Sequence, residues 1–221
     1  MERIDAVIFD LDGVLIDSEQ VWDEARREIV SERGGRWKPE ATRAMMGMSS
    51  VEWSVYMRDE LRVPLGAGEI SRLVVARLRK LYTDELPLIP GAPEAVRRLG
   101  GQWRLGLASS SNRELIDLVL ELSGLADEFA VAISSDEVPR GKPSPDVYLE
   151  AARRLGAEPA ASVAIEDSGN GIRAGKAAGM PVIAIPNRAL PPEPEALALA
   201  DQVIDSLERL TPRLLTSLIR P

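Results

Sequence analysis

The chain has no cysteine and no histidine, and each absence removes a class of chemistry. Without cysteine there is no disulfide, no thiol nucleophile and no thiolate-held zinc. Without histidine there is no Ser-His-Asp arrangement and no imidazole base, so proton transfer falls to carboxylates, lysine or a metal-bound water. Aromatic residues make up only 4% of the chain, so the core must be built from Leu, Val, Ile and Ala. No Lys/Arg-rich block is present and the net charge is -8; binding driven by phosphate neutralisation is disfavoured, and no nucleic-acid partner is expected. No apolar run reaches the about eighteen residues of a membrane span. The first strand begins almost at once, which predicts no signal peptide. The expectation is a cytoplasmic protein with no membrane partner, monomeric by default.

The 221 residues are 45% hydrophobic and 28% charged, an ordinary globular composition. The most informative stretch is Ile4–Ser18, IDAVIFDLDGVLIDS. Ala6-Val7-Ile8-Phe9 reads as a strand buried on both faces, and it ends in Asp10, Asp12 and Gly13. After residue 16 the periodicity turns helical for about seventy residues. Val21, Trp22, Ala25, Ile29 and Val30 share one helical face; Ser49 and Glu52 make a capping box before Val51, Val55 and Met57; Ile70, Leu73, Val74, Leu78 and Leu81 form a third stripe. Beyond Pro90 the chain alternates. Strands are expected at 104–108, 130–133, 162–165 and 182–185, with a short edge strand at 203–204 and a loop over 187–195. Helices are expected between these strands. Strand–helix alternation predicts an α/β fold with a doubly wound, mainly parallel sheet. Residues 1–16 and 88–221 are expected to form this core, and 17–87 an inserted helical cap.

Polar groups recur where the strands stop: Asp10 and Asp12, then Ser109, Ser110 and Ser111, Lys142 within GKPSPD, and Glu166-Asp167. In a parallel sheet these ends share one edge, where open α/β sheets bind ligands. Four acids, a hydroxyl and a cation make sense together as a magnesium-dependent phosphoryl-transfer site, since hard oxygen ligands suit Mg2+. A carboxylate about 4 Å from a phosphate dianion repels it by roughly 8 kcal/mol at an effective dielectric of 20. A dication held by Asp10 and Asp167, with Glu166 as a further candidate, offsets most of this. Lys142 neutralises more, and Ser109 donates to a phosphate oxygen. Asp10 can then attack phosphorus, with Asp12 as a proton carrier.

DLDGVLIDS, LASSSNR, RGKPSPDVY and IEDSGNGIRAGKAAGM resemble the four motifs of the haloacid-dehalogenase superfamily of phosphohydrolases. They are similar in particular to the branch of phosphoglycolate phosphatase, small sugar-phosphate phosphatases and β-phosphoglucomutase. The resemblance runs through the core from end to end. It implies a Rossmann-like core with a helical cap after the first motif, and a Mg2+-dependent phosphatase acting on a small phosphorylated metabolite through an aspartyl-phosphate. By the same resemblance Asp10 is the nucleophile and Asp12 the general acid/base. Ser109, with Ser110 beside it, binds phosphate, and Lys142 is the third-motif lysine. The metal set comprises Asp10, Glu166, Asp167 and the main-chain carbonyl of Asp12.

The sequence departs from the mutase members at two places. The cap arginine that grips a second phosphate there is matched by Ser50, and an early cap histidine by Trp22. Both changes favour hydrolysis over mutase activity. A metal-free dehalogenase would leave Asp12 and the fourth-motif acids without a role, and a non-enzymatic phospho-acceptor switch would need neither the helical insert nor a second acid. Trp22, Met45, Met46, Met48, Ser49 and Trp53 are candidates for substrate contact and equally for helix packing. Arg113, Glu19 and Gln20 are open in the same way, and Gly13 is expected to allow a backbone shape that other residues resist.

Overall fold

Ala6–Phe9 (β1) is buried at every residue because it lies at the centre of the sheet, with neighbours on both edges and helices on both faces. The structure, a computed structural model, describes residues 3–187 and 191–218. After β1 come four helices, α1 (Glu19–Glu32), α2 (Ala41–Met45), α3 (Ser50–Asp59) and α4 (Ala67–Asp84). The alternating part follows: α5 (Ala92–Gly100), β2 (Arg104–Ser109), α6 (Arg113–Ser123), β3 (Val131–Ser134), α7 (Asp146–Leu155), β4 (Ser162–Glu166), α8 (Gly169–Ala177) and β5 (Val182–Ala184). The chain then runs through α9 (Pro194–Leu197), β6 (Gln202–Val203) and α10 (Pro212–Ser217).

The six strands are parallel, in the order β3-β2-β1-β4-β5-β6. This is the doubly wound, Rossmann-like arrangement expected from the alternation. Side chains divide by the two-residue period of a strand. Val7, Phe9, Leu105, Leu107, Val163 and Ile165 pack with α1, α3, α4, α5 and α6. Ala6, Ile8, Ala108, Ile133 and Ala164 pack on the other face with α7 and α8. The chain reaches β3 at one edge and returns to β4 beside β1. The strand order therefore reverses between β1 and β4, which opens a crevice at their carboxyl ends.

The helical segment leaves and rejoins the sheet at one place. Ile16 and Leu88 form an antiparallel bridge. Asp17 N–H donates to Pro87 O at 2.8 Å and Ile89 N–H to Leu15 O at 2.9 Å. Within the segment, Glu52 accepts from the backbone and hydroxyl of Ser49 at 2.9 and 2.7 Å, the expected start of α3. The apolar stripe predicted there holds at Met57 but fails at Val51, whose place in the core Trp53 takes. Val51 is 66% exposed, while Trp53 and Met57 are buried. Leu122, spaced as the next residue after the buried Leu115, Ile116 and Val119 of α6, is also exposed. Of the loop expected over 187–195, residues 188–190 lie outside the described residues, and α9 begins inside its far end.

Candidate active site

Asp10 follows β1 directly, and its N–H donates to Ile165 O of β4 at 2.9 Å. This pairing brings it to the end of β4, where Glu166 closes the strand and Asp167 follows. Ligand oxygens of Asp10, Glu166 and Asp167 all lie within 4.8 Å of one another, and all three residues are buried. Lys142, 3% exposed, enters from the loop between β3 and α7. Its Nζ is 2.6 Å from Glu166 Oε1 and 2.9 Å from Asp10 Oδ1. The contact to Asp10 is an ion pair without hydrogen-bond alignment, so Oδ1 keeps no hydrogen-bond partner. Burial, above all, pushes the Asp10 carboxyl up to about 8; Lys142 opposes this, while Glu166 and Asp12 add to it. Burial likewise raises Asp167, with Glu166 and Asp10 adding their repulsion. Burial alone would lower Lys142, but Asp10 and Glu166 more than offset it and hold the ammonium charged.

Glu166 is fully occupied by donors. Oε1 accepts from Lys142 Nζ at 2.6 Å and Tyr148 OH at 2.7 Å. Oε2 accepts from Asp167 N at 3.1 Å, Ser168 N at 3.2 Å and Ser168 Oγ at 3.1 Å. Two glycines make room for these acids. A Cβ on Gly171 would lie 1.8 Å from Glu166 Oε1. Gly13 has φ +79°, and its Cβ would lie 2.0 Å from Asp167 Oδ2, so both backbone shape and space require glycine there.

Asp12 stands apart from the acid cluster because hydrogen bonds aim it elsewhere. Oδ1 accepts from Ser18 Oγ at 2.6 Å and from Trp22 Nε1 at 3.0 Å. Oδ2 accepts from Ser111 Oγ at 2.7 Å and, weakly, from Ser109 Oγ at 3.4 Å. Ser109 is fully buried and also accepts from Ser111 N at 3.0 Å. Ser110 donates to Gly47 O at 3.2 Å, joining the end of β2 to the loop before α3. The Ser50 hydroxyl donates to Asp136 in a second contact between the helical segment and the sheet.

Over these groups α1, the 45–48 loop and α3 close a cavity of about 50 Å³, with room for a few waters. Its floor is Asp10, Asp12, Lys142, Asp167, Ser110, Ser111 and Ser168; its roof is Glu19, Trp22, Arg26, Met45, Met46, Gly47, Met48 and Trp53. Trp22 and Trp53 meet edge to face at 5.8 Å. The Arg26 guanidinium lies over both rings, at 4.5 and 5.3 Å from their centroids.

Residues 4–179 match the family described as haloacid dehalogenase-like hydrolase. The chain belongs to this family. Hexitol phosphatase B of Escherichia coli K12 is 37% identical over 215 residues, covering 95% of each chain. A probable pseudouridine-5'-phosphatase of Drosophila melanogaster is 31% identical over 219 residues, covering 96% of this chain and 94% of that protein. Among solved structures, CbbY from Rhodobacter sphaeroides in complex with phosphate superposes with a TM-score of 0.83 at 29% identity, covering 94% of this chain and 96% of that one. With these relatives, this haloacid dehalogenase-like hydrolase is a phosphoric monoester hydrolase.

In this hydrolase the motif residues Asp10, Asp12, Ser110, Lys142 and Asp167 line one cavity, with Glu166 buried directly behind Lys142. Ser109 lies beneath Asp12 and does not line it. Of the open candidates, Glu19, Trp22, Met45, Met46, Met48 and Trp53 reach the cavity. Ser49 is spent on the α3 cap, Gln20 is exposed, and Arg113 pairs with Glu137 and Asp117 on the surface. Sequence reasoning missed Arg26 and Tyr148 and undervalued Ser111. Arg26 carried a usable signal: it sits four residues after Trp22, on the apolar face of α1, where a charge breaks the pattern.

Proposed function

We propose that the protein is a Mg2+-dependent phosphatase that hydrolyses a small phosphorylated metabolite, a sugar or sugar-alcohol phosphate, through an aspartyl-phosphate on Asp10. The observation that carries this reading is the packing of three buried carboxylates within 4.8 Å of one another against one lysine. One ammonium does not balance three acids; burial first, and then the repulsion of the neighbouring acids, pushes Asp10 and Asp167 up. A hard oxygen donor set of this kind fits Mg2+. Asp10 and Asp167 would hold the ion, helped by the Asp12 main-chain carbonyl that the family pattern implies. Glu166, with five hydrogen bonds already accepted, supplies charge chiefly through Lys142. When bound, Mg2+ supplies the positive charge that lets a carboxylate approach a phosphate dianion.

The chain's own residues then divide the work. Asp10 attacks phosphorus and the ester P–O bond breaks. Asp12 gives its proton to the leaving alkoxide. In the second half Asp12 takes a proton from water, which attacks the aspartyl-phosphate and returns Asp10 with release of inorganic phosphate. Lys142 neutralises charge on the phosphoryl oxygens, and Ser110, which lines the cavity, acts as a hydrogen-bond donor to them; Ser109, buried beneath Asp12, supports that carboxylate instead. The Ser18, Trp22 and Ser111 bonds keep Asp12 aimed between leaving group and water. Residues 17–87 act as a cap hinged where Ile16 bridges Leu88. A cavity of about 50 Å³ is too small for a phosphorylated sugar, so the cap opens for entry and closes to exclude bulk water. Hexitol phosphatase B, as a relative along nearly the whole chain, favours a sugar-alcohol phosphate among the candidates.

The test is phosphate release from a panel of sugar, sugar-alcohol and nucleoside monophosphates with Mg2+ and with EDTA. Turnover that depends on Mg2+ and disappears in Asp10→Asn is expected. Substantial metal-dependent turnover by Asp10→Asn would remove Asp10 as the nucleophile.

A further inference from the structure

We propose that Arg26 and Glu19 form a clamp for the hydroxyl groups of the substrate's uncharged end, and so select a polyhydroxylated monophosphate over a bisphosphate. This rests on the phosphatase reading of the same cavity and names which part of the substrate the cap recognises.

Arg26 is 7% exposed, yet no described residue accepts a hydrogen bond from it or pairs with it within ion-pair distance, and its Nε is buried without a partner. Its guanidinium lies in the corner made by the Trp22 and Trp53 rings. Lying over the ring faces satisfies the charge in part, but the five N–H donors of a guanidinium still need acceptors that two indole rings do not supply. A buried donor without an acceptor is costly. Methionine or leucine would fill this space without that cost, so packing alone does not account for an arginine in a cavity wall. Its donors are open to whatever fills the cavity.

Glu19 supplies the complementary half. It lies seven residues earlier on α1, about 10 Å along the axis and close to the same face. It lines the same cavity and likewise makes no hydrogen bond to a described residue. A wall presenting an unpaired donor and an unpaired acceptor fits groups that both accept and donate, which is the chemistry of hydroxyls.

Charge decides against a second anion. Asp10, Asp12, Glu19 and Asp167 line the cavity against only Lys142 and Arg26. A divalent cation brings this lining to balance, and the phosphoryl group being cleaved already makes it negative again. A second phosphate at the roof would add two more negative charges beside Glu19, with Arg26 as the single cation there to meet them. The Ser50 position agrees: it lies outside the cavity, bonded to Asp136.

The test measures calorimetric affinity in the Asp10→Asn protein with Mg2+, which needs no turnover, alongside phosphate release by the parent enzyme. Three ligands are compared: a hexitol 6-phosphate, ethyl phosphate (the same reacting group without hydroxyls) and a hexose bisphosphate. The parent is expected to prefer the hexitol phosphate to both others. Arg26→Met is expected to cut its preference over ethyl phosphate at least tenfold, with Glu19→Gln acting in the same direction. Arg26→Lys, which keeps the cation but not the fork, should cut it by less and serves if the methionine variant folds poorly. The proposal is overturned if the parent binds hexitol phosphate and ethyl phosphate equally, or if Arg26→Met weakens both alike. A parent preference for the bisphosphate that Arg26→Met abolishes would also overturn it, making Arg26 a second-anion site. Failure of the phosphatase reading looks different: no phosphate release from any ester by the parent enzyme, whatever the affinities.

Discussion

Two cations are buried in the same cavity wall, and they stand in opposite situations. Lys142, on the sheet side, has Glu166 at 2.6 Å and Asp10 at 2.9 Å, and these acids hold it charged. Arg26, on the helical side, has two indole faces and no acceptor, and burial lowers it to about 10, against the pull of Glu19 and Asp12. The sheet side carries its counter-ions within the fold. The helical side leaves its donors for a ligand. Groups that perform the same chemistry on every substrate are built in, whereas groups that read the substrate are left unpaired until it arrives.

The largest expected effect tests the sheet side. Asp10→Asn should lower phosphate release by at least about 10⁴-fold, as loss of a nucleophile does elsewhere, measured under saturating Mg2+. Next is the ion cluster. Lys142→Met leaves Asp10 and Glu166 buried without their cation and should destabilise the metal-free protein by about 3–5 kcal/mol; urea denaturation in EDTA reads this, and unchanged stability would show that the cluster is not held by the lysine.

The metal should act in proportion to pH. Asp10 is raised to about 8 in the folded metal-free protein, against an ordinary value of about 3.9 unfolded. Between those values the folded state holds a proton that the unfolded state has lost. Stability from this group is therefore fully present below about pH 4 and is lost as pH rises towards 8. Mg2+ takes the proton's place, so its stabilising effect should grow from pH 5.5 to pH 8. Melting temperatures with Mg2+ and with EDTA check this, at about 2–4 °C per kcal/mol for a chain of this size. An equal shift at both pH values would break the assignment.

The smallest effect belongs to the helical side. Arg26→Met removes an unpaired buried cation and fills the space with an apolar chain, so folding stability should change by less than about 1 kcal/mol or rise. A loss comparable to that of Lys142→Met in the same urea measurement would erase the distinction between the two cations.

The sheet side was the more legible one. Strand ends carry their polar residues immediately after an apolar run, so Asp10, Asp12, Ser109 and Glu166-Asp167 announced themselves by position, and parallel pairing made their convergence a matter of topology. Gly13 was readable as a special backbone position, but not as the space that Asp167 occupies. The helices were harder. Their stripes predicted elements correctly and faces imperfectly, as Val51 and Leu122 show, because a neighbouring residue can take the core position without altering a helix's composition. Arg26 stood in no motif, Tyr148 stood in the RGKPSPDVY motif with no role of its own, and Ser111 was one of three serines at a strand end.

By itself, then, the sequence determined the chemistry of the strand ends and the doubly wound, parallel class of the sheet, since a strand's two-residue period and the parallel crossover leave few alternatives. Only the tertiary structure decided which oxygens are spent and which are open. It showed Glu166 filled by five donors, Asp12 turned aside by Ser18, Trp22 and Ser111, and Arg26 lying over two indole rings with its donors unpaired. Those outcomes depend on side chains from segments far apart in the chain meeting at angstrom distances, and no local pattern encodes such distances.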